Sequence, residues 1–352
     1  MTDTSTGTAS LPDDAAALDR LQAWMQATVA GFKGPLKLEK FAGGQSNPTY
    51  RVITSGADYV LRRKPPGTLL KGAHAVEREA QIMSALGPAG FPVPKIHGLC
   101  EDAAVIGTPF YLMDLVQGRI FWDPSFGELP REARAAHMDA MNATLAALHN
   151  VDPAAVGLSG YGRPENYVAR QVARWSRQYL DDELAGRHPA MDRLVEWLPA
   201  HLPERERPGI VHGDFRADNM IFHPTEPRVI AVLDWELSTL GDTLADFAYH
   251  AMTYRMPSDI QGGIAGIDPV AHGLPTEAEY VAAYCRRTGQ DALPDLNYHI
   301  AFNMFRFAAI VHGIRGRAIR GTAASAQAQR MGESFGRIAD LAWQQAAAVT
   351  PP

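Results

Sequence analysis

The sequence predicts an α+β chain, a small antiparallel-sheet lobe followed by a larger, mainly helical lobe, on three observations. The first hundred residues hold short alternating runs broken by Gly and Pro, such as Leu36-Lys37-Leu38-Glu39-Lys40-Phe41. Beyond Gly118 the apolar period becomes that of helices. Charge changes at the same place: all six lysines precede residue 100, and eleven basic residues balance eleven acidic ones up to Val116. The remainder carries the whole net charge of −6. A chain of 352 residues has material for a sizeable core, and we place the boundary after residue 116, giving regions 1–116 and 117–352.

In order, residues 1–12 are rich in Thr, Ser and Gly and read as a disordered tail. Asp13 or Asp14 caps a helix to about residue 30, with Leu18, Leu21, Trp24 and Met25 on one face. Strands follow at 36–41, 50–53 and 59–63, the last ended by Pro65-Pro66-Gly67. A helix over 74–86 precedes strands near 103–106 and 109–116. Helical patterns cover 131–150, 164–183, 189–200, 243–255, 276–288, 296–320 and 324–348. Between them, 210–211, 220–222 and 229–233 are short strands around a polar loop.

Composition excludes several classes. The acidic balance argues against a general nucleic-acid binder. No apolar run reaches 18 residues, since Arg306 and His312 interrupt the longest, so no membrane span is expected. The first fourteen residues carry acids and no Lys or Arg, unlike a secretory leader. Cys100 and Cys285 stand far apart without metal spacing, which fits a reducing cytoplasm.

The chemistry concentrates in Val211-His212-Gly213-Asp214-Phe215-Arg216-Ala217-Asp218-Asn219, with Asp234-Trp235 fifteen residues beyond Asn219. Phosphoryl transfer needs a carboxylate to orient or accept the attacking hydroxyl's proton, and oxygen ligands to hold Mg²⁺ against phosphates. H-x-D-x-x-x-x-N followed by a strand-borne Asp supplies this set. Gly43-Gly44-Gln45-Ser46-Asn47 lies between two predicted strands and is either a plain hairpin turn or a phosphate cover. In the helix after residue 74, Val76, Glu79, Met83 and Leu86 share one face. A carboxylate on that stripe requires a cation, and Arg62 meets the need; the alternative is a Glu at the solvent edge.

These motifs resemble the aminoglycoside phosphotransferase and choline kinase branch of the protein-kinase-like fold, where H-G-D-x-x-x-x-N replaces H-R-D-x-x-x-x-N. The resemblance is nearest to the kinase-like N-terminal part of acyl-CoA dehydrogenase fusion proteins, carried by Gly43–Tyr50, Leu61–Gly67 and Gly241–Asp246. It implies an ATP-dependent, Mg²⁺-requiring phosphotransferase acting on the alcohol of a small molecule. Asp214 resembles the catalytic base, Asn219 and Asp234 the Mg²⁺ ligands, and Arg216 a residue that contacts the transferred phosphoryl group. Gly44, Ser46 and Asn47 become the implied phosphate cover. Arg62 falls where the phosphate-binding Lys of kinases sits, with Lys64 as a rival and Glu79 as its implied partner. Asp114, through its carbonyl, and Val116, through its N–H, resemble the adenine contacts. Asp246 resembles the helix carboxylate that ties down the catalytic loop, while His212 suits a brace and Asp242 a helix cap.

The acceptor is approached through Arg170, Arg174 and Arg177, which follow one face of the helix over 164–183. They suit an anionic alcohol such as a hydroxyacyl-CoA, or else form a solvated face balanced by Asp181, Asp182 and Glu183. A true aminoglycoside or other antibiotic kinase, and an inactive nucleotide-binding pseudokinase, are the competing readings.

Overall fold

The computed structural model describes residues 11, 14–41, 47–67, 74–260, 262–321 and 326–349. Gly44 and Ser46 lie outside the described residues. Two units divide the chain: Met1–Arg119 with Ile230–Glu236, and Ile120–Val229 with Leu237–Pro352. The first unit thus extends three residues past the expected boundary and takes back a short later segment, which contains Asp234.

In the first unit, α1 (Ala15–Thr28) is capped by the Asp14 carboxylate, which accepts from Ala17 N. The strands β1 (Leu36–Lys40), β2 (Thr49–Thr54) and β3 (Tyr59–Arg63) form a meander. Then come α2 (Val76–Leu86), β4 (Ile96–Cys100), the helical turn α3 (Ala103–Ile106) and β5 (Phe110–Asp114). The sheet order is β1-β2-β3-β5-β4, antiparallel throughout. Its register sets Arg62 opposite Thr49 on one side and Tyr111 on the other. Leu21, Met25, Val52, Leu61, Phe110 and Leu112 form the core between α1 and the sheet. Leu11, inside the segment expected to be a tail, is buried in that core.

Residues 103–106, expected as a strand, form α3 instead. Asp102 caps it by accepting from Ala104 N at 2.8 Å, and Gly107 closes it at φ 87°. Four apolar residues are too few to show a period. The strand at that edge is β4, whose pattern is interrupted by Gly98. A Cβ there would stand 2.7 Å from Thr28 and 3.0 Å from Trp24, so the close approach of α1 selects glycine.

The second unit contains α4 (Arg131–His149), α5 (Tyr167–Asp181), α6 (Pro189–Ala200), β6 (Pro208–Val211), β7 (Met220–Phe222), the first residue of β8 (Val229–Val232), whose other three open the first unit's returning segment, and β9 (Thr239–Asp242). It closes with α7 (Thr243–Ala251), α8 (Pro269–His272), α9 (Glu277–Thr288), α10 (Leu296–Ile319), α11 (Ala326–Glu333) and α12 (Phe335–Ala347). The expected helix over 324–348 is broken at Ser334, whose hydroxyl donates to the Met331 carbonyl. Buried along most of its length, α10 packs against α12, α7 and α5. Val168, Val172, Trp175 and Tyr179 form the buried stripe of α5, with Arg170, Arg174 and Arg177 exposed. No helix among the described residues is long and apolar enough to cross a membrane.

Candidate active site

The chemistry-bearing loop leaves β6 at His212. Antiparallel pairing of β6 with β9 brings the start of α7 beside it. Asp242 caps α7 by accepting from Leu244 N at 3.1 Å, and also accepts from Arg207 N and His299 Nε2. One turn on, Asp246 accepts from His212 N at 2.7 Å, Gly213 N at 2.9 Å and His149 Nε2 at 3.2 Å. Burial works to raise the pKa of Asp246, but these donors outweigh it and hold the carboxyl below its ordinary value. His212 is fully buried, and its Nδ1 accepts from Asp214 N at 3.2 Å. Gly213 turns the chain at φ 86°, where a Cβ would meet the Leu237 carbonyl at 2.9 Å. Backbone, brace and carboxylate together aim Asp214.

The Asp214 carboxylate is held at both oxygens. Tyr249 on α7 donates its hydroxyl to Oδ1, and Asn219 Nδ2 donates to Oδ2 at 2.9 Å and to the Asp214 carbonyl at 2.8 Å. Arg216 Nε stands 3.7 Å from Oδ1, while its Nη2 donates to Asp218. Burial would lower the pKa of Arg216, but Asp214, Tyr249 and Asp218 hold it above the ordinary guanidinium value. With its amide nitrogen turned to Asp214, Asn219 keeps its oxygen as the atom that a hard cation would take.

The first unit holds a second cluster. Arg62, 12% exposed, lies 3.0 Å from Glu79 Oε2, 2.9 Å from Asp234 Oδ1 and 3.8 Å from Glu236 Oε2. Asp234 sits at φ 62°, an uncommon conformation for a residue with a side chain. Its segment is anchored by Val232 N donating to the Pro92 carbonyl and by Trp235 packing edge-on to Phe91. Lys64 pairs with Glu77 instead, so Arg62 is the cation that reaches Glu79 and Asp234. Glu79 also accepts from Tyr111 at 3.1 Å and from Asn47 Nδ2 at 2.9 Å.

Asn47 corrects an expectation. Read from the sequence as a donor to phosphate, it is fully buried, with its amide nitrogen on Glu79 and its oxygen facing His74 Nδ1 at 3.0 Å. It braces the ion pair. Asp114 ends β5 with its side chain on His97 Nε2 at 2.6 Å, and Val116 follows two residues on.

Beside Asp214, a pocket within the second unit is lined by Trp122, Met138, Met141, Met252, Met256 and Phe307, with Arg216 and Asp218 as its charged residues. None of Arg170, Arg174 and Arg177 lines it. Arg170 donates instead to the carbonyls of Arg163 and Glu165. His250, also on the pocket, donates from Nδ1 to the Phe215 carbonyl and accepts at Nε2 from the Tyr280 hydroxyl. Burial lowers its pKa to about 4, so its stabilising effect is complete above the ordinary value of 6.5 and is lost as pH falls towards 4. From pH 8 to pH 5 this one residue should cost about 2 kcal/mol. Denaturant midpoints of wild type and His250→Gln at both pH values check it, since the variant should lack that share of the acid loss.

Residues 37–299 match the phosphotransferase enzyme family. The chain belongs to that family. A Ralstonia eutropha protein, named as a candidate aminoglycoside phosphotransferase, is 47% identical, with a TM-score of 0.87 over 94% of this chain and 98% of that chain. Acyl-CoA dehydrogenase family member 10 of Mus musculus is 48% identical over 312 residues, which are 88% of this chain but 29% of the mouse protein. The chain thus spans less than a third of that relative. The match to an aminoglycoside phosphotransferase solved with ADP and hygromycin B, at 15% identity and a TM-score of 0.57, covers 90% of this chain and 97% of that one. At that identity it shares the fold alone, the protein-kinase-like α+β fold expected from the sequence.

Two residues at the site, Tyr249 and Arg306, carry no motif in the sequence that marks them as functional. The signal for Tyr249 was its position three residues after Asp246, which places both on one face of α7. For Arg306 it was a lone cation inside an otherwise apolar helix.

Proposed function

We propose that the protein is a kinase that transfers the γ-phosphoryl group of ATP, with Mg²⁺, to the hydroxyl of a small anionic alcohol, a hydroxyacyl-CoA being the favoured acceptor. The observation that carries the kinase reading is the Asp214 carboxylate, fixed at both oxygens on a loop that Asp246 ties down. So held, it orients an alcohol hydroxyl and takes its proton as the new P–O bond forms. Asn219 in the second unit and Asp234 in the first each carry an oxygen of the kind Mg²⁺ prefers, and each would serve as a ligand to the ion. The ion would offset charge on the phosphates. Arg62 and Arg216 are the cations that would share that task.

For the acceptor, the pocket is mainly apolar, and its one carboxylate, Asp218, is already paired with Arg216. A polycation would find little there, whereas a hydrocarbon segment would bury against methionine and aromatic surface. The similarity to an acyl-CoA dehydrogenase family member points the same way. The arginine face of α5 adds nothing at the pocket, so the negative charge of the acceptor rests on that similarity. Two free, buried cysteines suit a reducing cytoplasm.

ADP release with Mg·ATP over hydroxyacyl-CoAs, free hydroxy acids, choline and aminoglycosides tests this. Turnover should be greatest with a hydroxyacyl-CoA and should vanish with excess EDTA. Turnover confined to aminoglycosides would overturn the acceptor. ATP binding without turnover on any alcohol would make the protein a pseudokinase.

A further inference from the structure

Arg306 is a buried cation, 8% exposed, with its Nε lacking a hydrogen-bond partner and no ion pair to it found among the described residues. Burying an unpaired charge is costly, so the position calls for a reason. Its Nη2 donates to the Gly213 carbonyl at 2.8 Å, directly before Asp214. Its Cζ lies 5.3 Å from the centroid of the Tyr249 ring and 5.9 Å from that of Trp175. Tyr249 in turn donates to Asp214 Oδ1. One guanidinium therefore grips Asp214 from both ends, through the carbonyl before it and through the phenol on its side chain, without touching the carboxylate.

We propose that Tyr249, backed by Arg306, is a positioning residue that fixes the orientation of the Asp214 carboxylate; the inference rests on the kinase reading of Asp214. A carboxylate on a single bond can rotate, and each productive orientation lost lowers the chance that a lone pair meets the incoming hydroxyl. Tyr249 and Asn219 hold one oxygen each from opposite partners, α7 and the end of the loop, which leaves each oxygen a second lone pair for the acceptor. The cation over the ring polarises the phenol and strengthens its donation to a charged acceptor. Arg306 also fixes the loop backbone on which the carboxylate is carried. Because both side chains belong to the second unit and the Arg62 cluster makes its bonds within the first, nucleotide affinity should not depend on them.

Tyr249→Phe should lower kcat with hydroxyacyl-CoA about ten- to a hundred-fold, the range expected for a hydrogen bond to a charged group, with KM for ATP within twofold of wild type. Arg306→Lys, which keeps the charge but loses the forked planar head, should lose less of kcat than Arg306→Met. Wild-type kcat in Tyr249→Phe, or equal losses in kcat and ATP affinity, would overturn the inference. A readout without turnover keeps it testable even if every acceptor fails. In protein carrying ¹³Cζ-tyrosine, the resonance absent from Tyr249→Phe should move in Asp214→Asn and again in Arg306→Lys. A resonance unmoved in both variants would show that the phenol does not hold Asp214, whatever the acceptor proves to be.

Discussion

Asp214→Asn should reduce phosphoryl transfer about 10²–10⁴-fold while leaving ATP affinity within about twofold. The substitution keeps volume and shape but removes the capacity to take a proton. It also disturbs the local bonding. In the wild type both carboxylate oxygens accept, one from Tyr249 and the other from Asn219. An asparagine offers one oxygen and one NH₂, so one of those donors would face another donor. The alcohol thus loses both its base and part of its alignment. Nucleotide should bind nearly unchanged, because Arg62, Glu79 and Asp234 belong to the other unit and make their bonds without Asp214. Calorimetric titration with ATP, run beside turnover, separates the two effects. Near-normal turnover would remove Asp214 as the base, and a parallel loss of ATP affinity would make it a structural residue.

The parts of the site that the sequence showed clearly are those where one residue type is demanded by one task. His212, Asp214 and Asn219 fall on a short loop whose spacing is fixed by the turn itself, and Asp242 and Asp246 precede or open a helix where carboxylates meet free N–H groups. The pairing of Arg62 with Glu79 followed from helical spacing, since a carboxylate among Val76, Met83 and Leu86 needs a cation. Local pattern failed where the deciding partner is distant in sequence. Asn47 looked like a loop donor because Glu79 and His74, which claim its amide, lie about thirty residues away. β4 showed no alternation because α1 presses on Gly98, and β9 is too short to show a period without β6 beside it. The arginines of α5 were legible as an exposed face, but which surface a pocket uses is a matter of tertiary packing. The methionines that line it come from α4, the turn after α7 and the loop beyond.

Arg62→Met should leave stability near the wild-type value at pH 5.5 and cost about 2 kcal/mol at pH 8.5, the most that keeping a proton on a carboxyl with a wild-type pKa of about 7 can cost there. The two partners respond differently to their surroundings. Burial would lower the pKa of Arg62, but Glu79, Asp234 and Glu236 outweigh it and hold the guanidinium above its ordinary value. At Glu79 burial is the stronger influence and pushes the carboxyl up to about 7, even with Arg62 beside it. Arg62 therefore stays charged at every working pH, and Glu79 is the partner that can take a proton. A carboxyl with a raised folded-state pKa favours folding fully below its ordinary value of 4.5, and that contribution is lost as pH rises through about 7. Removing the guanidinium removes the influence that lowers Glu79, so its pKa climbs further. At pH 5.5 the carboxyl is largely neutral in both proteins and needs no cation. At pH 8.5 the variant must either keep an unpaired charge under Val76 and Tyr111 or bind a proton from dilute solution, and both are costly. Met keeps most of the apolar stem, so packing loss is small and similar at both pH values. Denaturant midpoints at pH 5.5 and 8.5 measure the difference. An equal loss at both would assign it to packing, and no loss at pH 8.5 would show that Arg62 does not neutralise Glu79.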